Sequence, residues 1–141
     1  MTKNLDKEGL SSIVDNYQLF YVDLWGVVHN GVTLHNEAIK ALKEISKKKK
    51  DYILLTNAPR PNYSVKSFLE KLGMDKEIRD HVFTSGEAAL NYLKKNLINK
   101  TFFHVGPPRD FDLFKDFKND KSDNIKNCDY ILCTGLFDDH D

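Results

Sequence analysis

Three groups of small polar residues could do chemistry in this sequence: Asp23, Thr56-Asn57 and Thr84-Ser85. Each directly follows a run of aliphatic, aromatic or β-branched residues, namely Leu19 to Val22, Tyr52 to Leu55 and Val82-Phe83. If those runs are neighbouring parallel strands, their carboxyl ends lie side by side, which is where open parallel sheets bind ligands. A carboxylate, hydroxyls and an amide would then share one pocket, a set that suits an oxyanion such as phosphate. Asp23 is the candidate for chemistry, and Gly26 just beyond it permits a close backbone approach. The alternative for the same residue is an Asp that caps a loop or helix.

The elements that must position these groups are legible from periodicity. The stretch LFYVDLWGVVHN, Leu19 to Asn30, reads as a strand ending at Asp23, and so uninterrupted an apolar run predicts a parallel strand covered on both faces. Ahead of it, Leu10, Ile13 and Val14 predict one short amphipathic helix over residues 6–16. Val27 to Leu34 read as an irregular loop whose His29 and nearby His35 are loop histidines rather than metal ligands, because no matching carboxylate or cysteine set accompanies them. Asn36 is expected to cap a helix bearing Ala38, Ala41, Leu42 and Ile45, and Lys47 to Lys50 complement the dipole at its carboxyl end.

After the strand Tyr52 to Leu55, Pro59 and Pro61 break the chain, and a helix follows from Asn62 to Leu72 with Gly73 as its stop. Thr84-Ser85-Gly86-Glu87 has the spacing of a capping box before a helix carrying Ala89, Leu90, Leu93 and Leu97. A fourth strand spans Thr101 to Val105, and Gly106-Pro107-Pro108 leads into a short helix with Phe111, Phe114 and Phe117. Residues 118–127 are loop-like, and Asp129 to Thr134 read as a fifth strand. Alternating strands and helices predict an α/β fold with a mainly parallel sheet flanked by helices.

Composition narrows the partners. With 141 residues, 40% hydrophobic and 30% charged, the chain fits one soluble domain of ordinary size. Lys+Arg and Asp+Glu balance at 21 each, and the arginines are only Arg60, Arg79 and Arg109, so neither nucleic acid nor an anionic membrane is expected as a partner. Cys128 and Cys133 make no CxxC pair and read as reduced thiols. Without an apolar leader or a run long enough to span a bilayer, the expected location is cytoplasmic.

These residues also carry a resemblance. Asp23-Leu24-Trp25-Gly26-Val27-Val28 after one hydrophobic strand, and Leu54-Leu55-Thr56-Asn57-Ala58-Pro59 after a second, resemble the first two motifs of the haloacid dehalogenase (HAD) superfamily. Their spacing and the segment TSGEAALNYL are similar to its class IIA members, the sugar-phosphate and nucleotide phosphatase-like group with a large α/β cap, and in particular to a hydrolase subfamily whose first motif is DLWGV-like. The resemblance runs from about Leu10 to Asp141. It implies a HAD-like Rossmannoid parallel sheet and a Mg²⁺-dependent phosphatase acting on a small phosphorylated metabolite. Asp23 would be the nucleophile that forms an aspartyl-phosphate. Mg²⁺ would be held by Asp23 and the backbone carbonyl of Trp25. Thr56 and Asn57 would bind and orient the phosphoryl group, and the amides from Leu24 through Trp25 and Gly26 to Val27 would form an oxyanion cradle.

The chain departs from that pattern in two places. The usual phosphatase of the family has a second Asp two residues after the nucleophile, as general acid and base; here Trp25 stands there. An indole exchanges no proton near neutral pH, so assistance typically worth about 10²- to 10⁴-fold must come from elsewhere. Second, the third motif's Lys and the fourth motif's acidic pair would lie downstream of Thr134. On the family pattern, residues 1–127 are the amino-terminal part of an incomplete core and residues 128–141 the start of the cap. Asp138-Asp139-His140-Asp141 then read as cap loop and terminus rather than a metal site. The unpaired edge left on the strand of Asp23 makes a homo-oligomer an expectation. Two alternatives stand beside the enzyme. One is a non-catalytic relative that binds a phosphorylated metabolite or a protein partner. The other is a nucleotide-binding α/β module, disfavoured because GxGxxG and GxxxxGK[ST] are absent.

Overall fold

Residues 5–137 are described by the computed structural model. Among them one compact unit runs to Leu55 and resumes over Leu69–Val82, while the other holds Thr56–Phe68 and the residues from Phe83 onward.

In the first unit the two runs richest in chain-stiffening apolar residues pair as parallel strands. These are β1 (Leu19–Asp23) and β2 (Asp51–Thr56), in a register that sets Leu19 opposite Asp51 and Asp23 opposite Leu55. With β3 (Val82–Thr84) they form a three-stranded sheet in the order β1-β2-β3. The central strand is therefore β2, whose Tyr52 and Leu54 are buried. β1 departs from the sequence expectation: it lies at the edge, and Leu19 and Tyr21 are 42% and 67% exposed, so it is not covered on both faces. Apolar character states what a residue prefers, not whether a second layer reaches it.

The amino-terminal helix expected over 6–16 is likewise not continuous. Gly9, at φ +70°, separates α1 (Leu5–Glu8) from two single 3₁₀ turns at Leu10–Ser12 and Val14–Asn16, and only Val14 among them is buried. The crossover helix α2 (Asn36–Lys47) buries Leu42 and Ile45, two of the four positions that its periodicity singles out. Asn36 is its first helical residue rather than its cap; His35 occupies the cap position and makes no side-chain hydrogen bond there.

Helix α3 (Asn62–Lys71) ends as expected before Gly73, at φ +84°. A short helix not visible in the pattern, α4 (Lys76–Arg79), then turns the chain into β3. The Arg79 guanidinium donates to the Met74 carbonyl at 2.9 Å, which ties that helix to the end of the preceding turn.

The second unit is built on α5 (Ser85–Asn96) and on β4 (Phe102–Val105), which pairs in parallel with β5 (Tyr130–Cys133). The five strands among the described residues thus form two sheets, because β4 and β5 pair with each other. Fully buried Phe102 centres this unit's core, with Leu90, Leu93, Leu113, Phe114 and Leu132 around it. Its ring meets those of Phe114 and Phe117 edge-on, with centroids 5.2 and 5.5 Å apart. The phenylalanines expected on a short helix lie on 3₁₀ turns over Pro108–Asp120, broken by non-helical backbone at Phe114 and Phe117. No helix among the described residues is long and apolar enough to cross a membrane.

Candidate active site

Asp23, an exposed residue, is the last of β1. The N–H of Leu24 donates to Asp23 Oδ1 at 2.8 Å and so fixes the carboxylate against its own backbone. Leu24 and Val28, both buried, anchor the turn that follows. The Leu24 carbonyl accepts from the N–H groups of Val28 and His29 at 2.9 and 3.2 Å, and the Gly26 N–H donates to the His29 carbonyl at 2.8 Å. Gly26 adopts φ +75°, a conformation costly for any residue with a Cβ. Of the amides expected to cradle an oxyanion, Leu24 thus serves the carboxylate and Gly26 closes the turn. The Trp25 N–H makes no hydrogen bond among the described residues.

Two loop residues complete this turn. Asn30 Oδ1 accepts from the N–H groups of Val32 and Thr33 at 2.9 and 2.8 Å, an Asx turn that reverses the chain. His29 is buried, and its Nδ1 accepts from the Gly31 N–H at 3.0 Å, which assigns the ring proton of the neutral form to Nε2. Burial holds His29 below the ordinary histidine pKa, and His35 adds to the shift while the Asp23 carboxylate opposes it. A buried, hydrogen-bonded histidine was not separable in sequence from a loop histidine.

The Trp25 side chain lies outward, 65% exposed. Its ring meets the edge of His29 nearly at right angles, with centroids 5.6 Å apart. Its benzo edge lies on Gly31, so close that a Cβ placed there would be 2.7 Å from Cη2 and 2.9 Å from Cζ3. Gly31, at φ +89°, is thus constrained both by its backbone and by the indole above it. In sequence it read only as a loop glycine.

Thr56 and Asn57 open a loop that belongs to the second unit and hangs on the first turn of α5. Thr84, the helix cap, accepts from the Glu87 N–H at 2.9 Å, as the capping-box spacing predicts. The Glu87 carboxylate, however, does not return to the Thr84 N–H. It accepts from the N–H of Asn62 at 2.9 Å, while the Thr84 N–H donates to Asn62 Oδ1, also at 2.9 Å. Ser85 Oγ donates to the Asn57 carbonyl at 2.8 Å, and the Gly86 N–H donates to the Ala58 carbonyl at 3.1 Å. Thr56 Oγ1 accepts from the Ala58 N–H at 3.3 Å, and the Asn57 side chain lies on an exposed residue. The far side of the loop is held through Arg60, whose Nε lies 3.6 Å from Oδ1 of the buried Asp110.

Among the described residues no group of three or more His, Cys, Asp or Glu could hold a metal ion. Asp23 and the Trp25 carbonyl are hard oxygen donors of the kind that Mg²⁺ takes, but they supply a minority of its octahedral shell. Cys128 and Cys133 are free thiols, and Asp138 to Asp141 lie outside the described residues.

Residues 20–118 match the sequence pattern of the family described as haloacid dehalogenase-like hydrolases. Among solved structures, a hydrolase of the haloacid dehalogenase-like family from Brucella suis 1330 is 32% identical with a TM-score of 0.77 over 92% of this chain and 46% of its own. A 4-nitrophenylphosphatase from Thermotoga maritima is 22% identical, with a TM-score of 0.66 over 86% of this chain and 46% of its own. A glycerol phosphate phosphatase from Mycobacterium tuberculosis, solved in complex with magnesium, is 21% identical with a TM-score of 0.63 over 89% of this chain and 38% of its own. This chain therefore spans about half the length of these proteins or less. No curated protein matches it.

Proposed function

We infer the function from one premise, that the chain belongs to the haloacid dehalogenase-like hydrolase family. The reading is a phosphohydrolase acting on a small phosphorylated metabolite, with Asp23 as nucleophile. The observation that carries it is the carboxylate of exposed Asp23 at the carboxyl end of β1, oriented by the Leu24 N–H at 2.8 Å and followed by a turn closed on itself.

In the first step an Asp23 oxygen attacks phosphorus, and the bond from phosphorus to the leaving-group oxygen breaks with its electron pair on that oxygen. In the second, water attacks the phosphorus of the aspartyl-phosphate, releases the Asp23 carboxylate and yields inorganic phosphate, its proton passing to solvent. The Trp25 N–H is the turn's available donor to a phosphoryl oxygen. Leu24 holds the carboxylate, and Gly26 lets the backbone come close. Thr56 and Asn57 are assigned to the phosphoryl group on the strength of their motif. Mg²⁺, when held by Asp23 and the Trp25 carbonyl together with oxygen donors from elsewhere, would neutralise phosphate charge.

The test is Asp23→Asn in the full-length protein. Asn keeps an acceptor for the Leu24 N–H, so circular dichroism and melting are expected to stay unchanged. Turnover of phosphate esters and calorimetric Mg²⁺ binding are expected to fall together. Retained hydrolysis would remove Asp23 from the mechanism.

A further inference from the structure

Trp25 stands two residues beyond Asp23 and is the sole tryptophan of the chain. Three features separate it from a packing residue. It is mostly exposed, so it fills no core. It is nevertheless held, nearly perpendicular to the His29 ring and seated on Gly31, where any side chain would displace it. The His29 that steadies it is itself tied by the Gly31 N–H and, through its carbonyl, by the Gly26 N–H. An exposed aromatic ring kept in one place by a glycine and a buried histidine presents a rigid apolar surface at little entropic cost, on the turn that follows Asp23.

The chemistry at that position points the same way. Indole has no proton to give near neutral pH, so the oxygen that leaves phosphorus with the bonding pair gets none from this position, and an oxygen that is stable as an anion is favoured. A phenol-like oxygen, with a pKa of about 10, meets that condition far better than an aliphatic alcohol. Groups of this kind are planar, and planar unsaturated groups are what an indole attracts by stacking. Tyr21, on the face of β1 that carries Asp23, is also exposed and extends the apolar surroundings.

We propose that the Trp25 indole, seated on Gly31, is a stacking platform for the leaving group, and that the substrate is a phosphate ester of a planar, unsaturated hydroxyl. This rests on the reading of Asp23 as nucleophile. The group that departs would lie against the exposed face of the indole while phosphorus passes to Asp23.

The experiment uses the fluorescence of Trp25 in the full-length protein, excited to the red of tyrosine and read as the difference from Trp25→Phe. Phenyl phosphate is expected to perturb the emission saturably; cyclohexyl phosphate and inorganic phosphate, at matched occupancy in calorimetry, are expected to leave it nearly unchanged. In turnover, preference for phenyl over cyclohexyl phosphate is expected to fall roughly two- to tenfold in Trp25→Leu, the range that an aromatic pair contributes, and to persist in Trp25→Phe. Equal fluorescence responses to the two esters, or a preference unchanged in Trp25→Leu, would overturn the platform and leave phosphoryl transfer by Asp23 standing. Failure of both esters to bind or react would overturn the platform and the phosphohydrolase reading together.

Discussion

The hydroxyl of Thr84 donates to the carbonyl of Arg60 at 2.5 Å while accepting from the N–H of Glu87. One side chain thus caps α5 and also fastens the loop that begins at Thr56 and Asn57. With Asn62 donating its N–H to the Glu87 carboxylate and accepting from the Thr84 N–H at Oδ1, the loop is set against a helix end rather than left to find its own conformation. If this loop takes the phosphoryl group as proposed, it needs little ordering when the ligand arrives.

Gly86 tests that bracing. A Cβ there would come within 2.4 Å of both the backbone nitrogen and oxygen of Arg60, and backbone cannot swing aside as a side-chain tip can. Gly86→Ala is expected to cost about 1–3 kcal/mol of stability through overpacking. At temperatures where the variant stays folded, KM for phosphate esters is expected to rise. A thermal melt and a kinetic titration check both; an unchanged melt and unchanged KM would show that the loop yields freely.

Trp25→Asp restores the residue type that the usual phosphatase of the family carries. Because Trp25 is exposed, its replacement leaves no cavity, and stability is expected to hold. Hydrolysis of alkyl phosphates is expected to increase, by up to about 10²-fold where proton transfer limits the rate. Aryl phosphates gain less, since their leaving groups need little protonation. Rates on both substrate classes decide the matter, and equal losses on both would sink the missing-acid account.

His104 makes acid stability measurable. Burial lowers its pKa, Lys121 adds to the shift, and the Asp110 carboxylate opposes it. Its Nε2 lies 3.0 Å from Thr134 Oγ1. The unfolded chain therefore takes up this proton first as pH falls below about 6.5, so the contribution is complete above that pH and is lost as pH falls further. Urea melts between pH 7 and pH 5 are expected to show this loss, with a shallower slope in His104→Gln. An identical slope in the variant would assign the acid sensitivity to other groups.

The edge position of β1 bears on association. Leu19 and Tyr21 lie exposed on the same face of a strand with an open flank in the described sheet. Such an edge invites pairing with another chain. Light scattering of the 141-residue chain is expected to show concentration-dependent self-association, reduced in Tyr21→Lys by charge on that face. A monomer at all concentrations, with or without the substitution, would refute this.

Much of the order of elements could be read locally. Strands β2 to β5 and helices α2, α3 and α5 stand where apolar periodicity and turn residues place them, because alternation and helical spacing act over a few neighbouring residues. Thr84 as the cap of α5 was legible for the same reason: a cap and the N–H that it accepts lie three residues apart. Family membership was legible too, since its motifs are contiguous strings, DLWGVV and LLTNAP, rather than arrangements in space. The position of Asp23 at the end of β1 follows from the same run of residues.

What depended on distant partners was decided by the tertiary structure alone. The capping-box spacing could not show that Glu87 bonds to Asn62, twenty-five residues away, instead of closing on Thr84. Nothing in the pattern Asp110 or Arg60 announced a buried carboxylate facing a guanidinium, because burial is a property of what packs around a residue. For the same reason, β1 reads as a doubly covered strand yet lies at an edge, and Gly31 reads as loop although the Trp25 ring rests on it. Local sequence sets the preferences of backbone and side chain over a turn or a strand. Which surfaces meet is settled only when segments far apart in the chain compete for the same space.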